Sequence, residues 1–347
     1  MRRRRWLKAL GPVALVAFVV VLNVAGFASE AIRERREHVA GLSVIAEPED
    51  VYALAEWRGS VYAGGADGLH RVDLDAREAS PEDFGGALPD GHVRALFAET
   101  DAGGDVLWVG SDKGLARVTG GGVRIFTTAD GLPDDRIRDV ERDGDELLVG
   151  TLGGLARFDG ERFTTLTEKD GLLSDVVNVV SVDAAGSVWM GSYDVHDAGL
   201  TVLAADGSVT TFTTADGLPH PSITCILPES DGTVWVGAGF FDKGGLARFT
   251  AGAGDRPVLA ETYATEDGLA GPKVRSLLRA PGGALWIGSE RDGLAVWRDG
   301  AAPRKLRTEQ GLSDNEIKCF LPMADGSVLL GTRGGITVVD AESAMRL

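Results

Sequence analysis

The chain has 347 residues, with 52 Asp and Glu against 35 Lys and Arg, a formal net charge of −17 and 48 glycines. That charge balance repels nucleic acid and anionic lipid, keeps a protein soluble, and suits cations, neutral sugars or basic protein surfaces. The two cysteines carry no metal-ligand spacing, and the glycine content points to many tight turns.

The head of the chain differs from the rest. "MRRRRWLK" precedes residues 9–29, an uncharged stretch of 21 residues, and "EAIRERREHVAG" follows. A stretch of that length spans a bilayer core as a hydrophobic helix, whereas a signal-peptide core has about 7–15 residues. Small residues at Gly26 and Ala28 keep cleavage open as a second reading. Residues 1–29 are therefore expected to be a membrane anchor or a signal peptide, and 30–41 a juxtamembrane spacer. The five cations before the stretch hold its start in the cytoplasm, which sends the remainder to the outer side of the cytoplasmic membrane. The alternative is secretion after cleavage. Residues 3–8, "RRRWLK", also resemble a twin-arginine export motif. Residues 1–37 hold 8 basic and 3 acidic side chains, leaving 27 and 49, or −22, for the remainder.

From residue 42 onward the chain repeats itself. The octamer "FTTADGLP" occurs at 126–133 and again at 212–219, with relatives "TEKDGLLSD", "ATEDGLAGP" and "RTEQGLSD" and a degenerate "GALPDGHV" at 86–93. About twenty residues after each comes an apolar run closed by glycine, at Gly64, Gly110, Gly150, Gly191, Gly237, Gly288 and Gly331. The steps are 46, 40, 41, 46, 51 and 43 residues. Within one repeat, "RIRDVER", "ELLVGT", "LARFD" and "RFTTLT" are four strand-length runs parted by Asp-Gly, Gly-Gly and Asp-Gly. Four-stranded units at this period predict an all-β fold, a seven-bladed β-propeller over residues 42–340 with a tail at 341–347. The last repeat lacks a fourth strand, so "LSVIAE" at 42–47 is expected to complete it and latch the two chain ends together.

The pattern "DGL(P)…[VI]…D..G.[LV]W[VIM]G[TS]..GL.R[FV]" resembles the two-component regulator propeller repeat and covers nearly everything from 42 to 340. The resemblance implies an extracytoplasmic sensor-type domain, in a family whose members commonly serve histidine kinases or diguanylate cyclases and some of which perceive glycans. Seven residues follow Asp340 and hold no kinase, cyclase or DNA-binding segment, so a signalling output is expected from a separately encoded sensor kinase.

Recurrence of the DGL turn at blade junctions gives Asp130, Asp170, Asp216 and Asp267 a turn-capping role, with Gly in the left-handed region and Leu between blades. Cys225 and Cys319 each lie eight residues after a turn glycine, so they sit a blade apart, too far to bridge, as small buried side chains. Departures from the repeat are more telling. Five blades separate the strand glycine from the next Gly-Leu or Gly-Ile glycine by four or five residues, whereas blades 4 and 5 use eight. The two insertions carry Tyr193, Asp194, His196 and Asp197, and Phe240, Phe241, Asp242 and Lys243, with His220 on the junction between them. Consecutive Phe at a loop tip implies packing or binding, so these nine residues form the candidate ligand site. Self-packing of the loops, or a metal held by Asp194, His196, Asp197 and His220, stay open beside it.

No nucleophile elbow, zincin, Walker or calcium-loop motif is present, and neither an enzyme nor a cofactor is expected. The expected function is an exported, anchored binding or sensory module for a small molecule, a glycan or an envelope or receptor protein. A structural assembly protein, and a propeller lyase or glycosidase, are the alternatives.

Overall fold

One repeat shows why this sequence builds blades. Ile137–Asp143, Glu146–Thr151, Gly154–Phe158 and Phe163–Leu166 pair in order as one antiparallel sheet. Gly144, at φ +55°, closes the first hairpin, and the Asp159 carboxylate accepts from the amides of Glu161 and Arg162 to close the last.

The computed structural model describes residues 38–347 except 90, 102, 195–197 and 253–255. These form seven four-stranded antiparallel sheets. The innermost strand of each sheet packs against those of both neighbours, the seventh against the first, so the ring is closed. The predicted latch is present: Leu42–Ile45 pairs with Gly335–Val339, Leu42 opposite Val339 and Ile45 opposite Ile336. Asp340 N donates to Gly41 O at 2.9 Å and Ser343 Oγ to Ala40 O at 2.8 Å, tying the chain ends again. The segment 341–347, read from sequence as a tail, contains a short helix, Ala341–Arg346. Asp340 caps it, and Arg298 of blade 6 donates to the carbonyls of Met345 and Leu347. Ala40–Leu347 is one unit. Among the described residues no helix is long and apolar enough to cross a membrane, and the expected hydrophobic helix at 9–29 lies outside them.

The recurring strand glycines mark where blades meet. A Cβ on Gly64, Gly110, Gly191 or Gly237 would lie 2.5–2.6 Å from the branched side chain of Val93, Ile137, Ile223 or Val274, the residue that opens the next inner strand. Gly288 and Gly331 face the side chains of Ile317 and Val51 at 2.8 and 2.7 Å, and Gly150 faces the backbone oxygen of Val177 at 2.9 Å with its side chain at 3.3 Å. Each of these seven β-branched residues is at most 4% exposed. The missing Cβ lets a stiff branched side chain from one blade seat on the backbone of the last.

The DGL turns act structurally. Asp130, Asp170, Asp216 and Asp267 each accept from the backbone N–H three residues earlier, at 2.8–2.9 Å. The following glycine has φ of 103–107°, and Leu132, Leu172, Leu218 and Leu269 are buried. The degenerate copy is offset: Leu88, not Asp90-Gly91, stands five residues before the strand-opening Val93, as Leu132 stands before Ile137. Both cysteines are free, and burial pushes each thiol up to about 12.

A carboxyl side chain bridges blades 3 and 4. Asp139 Oδ2 accepts from Val180 N at 2.9 Å, and Oδ1 from Val140 N at 2.9 Å. Burial, with some help from the charge of Glu141, outweighs these two bonds and pushes the carboxyl up to about 7. The native state therefore holds a proton that the unfolded chain releases near 3.8, so this group's contribution to stability falls as pH rises from about 4 to about 7 and is flat above. In Asp139→Asn the thermal midpoint, variant minus wild type, should climb between about pH 5 and about pH 7 and then level off; a flat difference contradicts the assignment. Gly110→Ala tests the blade contact. Its backbone lies outside the left-handed region, so an unhindered site gains from Ala, whereas the Ile137 contact at 2.6 Å turns that gain into a loss of about 1–3 kcal/mol in urea unfolding.

Candidate binding site at the channel mouth

The residue that opens each inner strand is fixed in the blade interface, and the next one is free. In blades 2–7 the pairing register shifts at that next residue, between Val93 and Ala95, Ile137 and Asp139, Val177 and Val179, Ile223 and Cys225, Val274 and Ser276, and Ile317 and Cys319. Such a bulge leaves one residue unpaired and re-aims its side chain. These bulge residues, Arg94, Arg138, Asn178, Thr224, Arg275 and Lys318, with Tyr52 beside Val51 in blade 1, converge on one end of the central channel. There they line a cavity of about 350 Å³. Tyr193, from the enlarged connection of blade 4, completes the wall.

The wall is uneven. Blades 2, 3, 6 and 7 each contribute a cation, whereas Asn178 and Thr224 in blades 4 and 5 are neutral and bond to the next blade. Asn178 Nδ2 donates to Ile223 O at 3.0 Å and Thr224 Oγ1 to Val274 O at 2.5 Å. Carboxylates outside the cavity wall hold most of the cations in place. Arg94 meets Asp112 at 3.2 Å, and Arg275 meets Glu290 at 3.1 Å and Glu316 at 3.7 Å. Lys318 meets Asp50 at 2.5 Å and lies 4.2 Å from the centre of the Tyr52 ring. Behind Tyr193, the buried Lys273 contacts Glu290 at 2.9 Å and donates to the Tyr193 hydroxyl at 3.2 Å. Burial opposes ionisation of Glu290, but Arg275 and Lys273 hold it below the usual carboxylate range.

Arg138 is the exception. It forms no ion pair with a described residue, and its buried Nε has no hydrogen-bond partner among them. Burial, and then the positive charge of Arg94, pull it below the usual guanidinium range, although an arginine stays charged at any ordinary pH.

Of the residues singled out from the sequence, Tyr193 lines this mouth, and Phe240 and Phe241 pack outward from it. The Tyr193 and Phe240 rings are 5.8 Å apart, Phe240 and Phe241 are 4.3 Å apart, and Phe241 is 59% exposed. Ser222 Oγ donates to Asp194 O at 2.7 Å, joining the two neighbouring blades. His220 Nδ1 accepts from Ser222 N at 3.0 Å. Burial, then Lys243 and Lys273, lower its pKa, and the charge of those two lysines would repel a metal cation there. Asp242 and Lys243 are exposed at the tip. His196 and Asp197 lie outside the described residues, and among those described no three His, Cys, Asp or Glu side chains converge as a metal site.

One enlarged segment differs from its expectation. Blade 5 carries no loop insertion; its hairpin continues through Ala238 opposite Gly245, Gly239 opposite Gly244 and Phe240 opposite Lys243. Glycines at 239 and 244 make this possible, since a Cβ on Gly239 would lie 2.9 Å from the Lys273 Cα. The two-residue tip, Phe241-Asp242, puts Phe241 at φ +51°. The ring of bulge residues was not singled out from the sequence. Its signal was there, as one variable residue after each V or I that opens an inner strand.

Residues 217–239, the turn into blade 5 and its first two strands, match the model of the two component regulator propeller. No curated protein is similar to the chain in sequence. Among solved structures, the extracellular domain of BT3049, assigned to a hybrid two component system of B. thetaiotaomicron, aligns at 14% identity and a TM-score of 0.70, over 88% of this chain and 42% of that one. The extracellular domain of BT4673 from the same organism aligns at 17% identity and a TM-score of 0.69, over 86% and 39%. A streptogramin B lyase aligns at 12% identity and a TM-score of 0.62, over 86% and 96%. The chain spans about two fifths of the two extracellular domains, and likenesses at these identities speak for the fold alone. The chain thus contains, within blade 5 of its seven four-stranded blades, one stretch that matches the two component regulator propeller model.

Proposed function

We propose that the chain is an exported binding module of the sensory or accessory kind, anchored through residues 9–29, with its propeller on the outer side of the membrane. The ligand is a small molecule or glycan, or a segment of an envelope protein, seated at the channel mouth. The observation that carries this is a coincidence of two independent features. The only two blades whose second connection departs from the repeat by several residues are the ones that bring Tyr193 into the cavity and Phe240 against it. Growth of the same connection in two neighbouring blades, both beside the cavity, is what selection for a ligand produces. The extracytoplasmic setting of the two extracellular domains of like fold is in keeping with this.

Catalysis fits the mouth less well. Hydrolysis of a glycoside uses two carboxyl groups flanking the bond, and the eight side chains lining the cavity include no Asp, Glu or His. The carboxylates nearby are engaged with Arg and Lys.

Residues 38–347, which carry all seven blades and the closing strand, provide the test. Thermal midpoints should rise with a member of a panel of oligosaccharides, small metabolites and peptides; a ligand at a hundred times its dissociation constant adds about 2.7 kcal/mol. In the Phe240→Ala, Phe241→Ala double variant that rise should shrink or vanish. A rise that survives unchanged would put the ligand elsewhere on the ring.

A further inference from the structure

The mouth of this acidic protein is cationic. We propose that the cavity binds a small molecule bearing an oxyanion group, a carboxylate, phosphate or sulfate, gripped by Arg138 with Arg94 beside it and Arg275 across the ring. The inference rests on the reading of the mouth as a ligand site and adds the chemistry of what enters.

Composition does not account for the ring. Beyond residue 37 the chain has 49 acidic and 27 basic side chains, yet of the seven ring positions four are Arg or Lys and none is Asp or Glu. The pairing around the ring is also incomplete in one place. Asp50, Asp112, Glu290 and Glu316 engage Lys318, Arg94, Arg275 and Lys273, all from outside the cavity wall, so they orient the cations without filling the space. Arg138 is left with a buried Nε that has no partner among the described residues. The rest of this half-buried guanidinium is engaged by no described carboxylate and is not shut away as Nε is, so its terminal nitrogens are free to donate to an oxyanion that enters the cavity.

The remaining wall fixes the size and second half of the ligand. About 350 Å³ is the volume of roughly ten waters, which suits a tricarboxylate, a hexuronate or a phosphorylated sugar. Opposite the cations, the neutral Asn178 and Thr224 and the ring of Tyr193 offer hydrogen bonds and a face for an uncharged part.

Titration calorimetry on residues 38–347 with citrate, inorganic phosphate, sulfate and galacturonate, and with glucose as the uncharged control, tests this. At least one anion should saturate at one per chain, and which one does separates carboxylate from phosphate and sulfate recognition. Arg138→Gln should weaken that binding more than about tenfold, as loss of a charge-assisted pair does, and Arg138→Lys by less. Without ligand, Arg138→Gln should melt no lower than the wild type, which keeps misfolding from imitating lost binding. Arg162→Gln, at the exposed outer turn of blade 3, should leave the affinity unchanged. Equal affinity in Arg138→Gln, or no binding of any of the four anions, overturns the proposal. If the anions fail while a neutral ligand or peptide raises the midpoint through Phe240 and Phe241, the binding module stands and only its anionic ligand falls. Failure of every probe removes both.

Discussion

The approach of one blade to the next at a missing Cβ governs this structure. At seven places a strand glycine receives the branched side chain of Val51, Val93, Ile137, Val177, Ile223, Val274 or Ile317. Each pair fixes both the distance between sheets and the height at which the following inner strand begins. Because the side chain that enters is β-branched, it has few rotamers to lose, and because the receiver is glycine, the sheets come closer than any side chain would permit. Ring closure is the same contact made a seventh time, between Gly331 and Val51. The pairing of Leu42–Ile45 with the last sheet makes that contact durable by supplying the missing fourth strand.

The same constraint creates the site. Once the first residue of an inner strand is committed to the interface, the next one has no ladder partner and no blade to pack on, so it turns to the channel. Seven such positions are set by the fold and left open in identity. Three of them in sequence order, Tyr52, Arg94 and Arg138, run from aromatic through a paired cation to an unpaired one. Asn178 and Thr224 then spend their side chains on the backbone of the neighbouring blade. Stability and function are thus divided between adjacent residues, one invariant in character and one variable.

That division explains what could be read from the sequence. Blades were legible because each repeat carries its own turn chemistry and its own glycine, and the octamer at 126–133 and 212–219 announces the period outright. The latch was legible because the last repeat was one strand short. The rim residues Tyr193 and Phe240 were found because insertions break the period. Arg138 and its companions break nothing: each is one residue in a span of 40 to 51, in phase with the repeat, and becomes part of a cluster only when the ring closes. Net charge pointed the other way, since a sum over the whole surface says nothing about seven side chains at one end of a channel. Blade 5 was read as a loop because glycines at 237, 239, 244 and 245 signal turns, whereas there they allow a hairpin to continue under close contact with Lys273.

An acidic body with a cationic mouth has a consequence for selectivity. At physiological ionic strength charges act over about 8 Å, so carboxylates farther out hardly reach into the channel, and an anion at the mouth feels the ring cations together with the carboxylates paired to them. Bulky polyanions such as nucleic acid or an anionic bilayer would meet the net negative charge of the whole chain, whereas a small anion would meet mainly the mouth. The asymmetry of the ring then orients what enters. Its charged end faces blades 2, 3, 6 and 7, and its neutral end faces Asn178, Thr224 and Tyr193, next to the exposed Phe241 at the tip of blade 5. On the proposed reading, a ligand held this way would present one defined part of itself to the two blades that depart from the repeat, and their enlarged connections would be the ones to distinguish it.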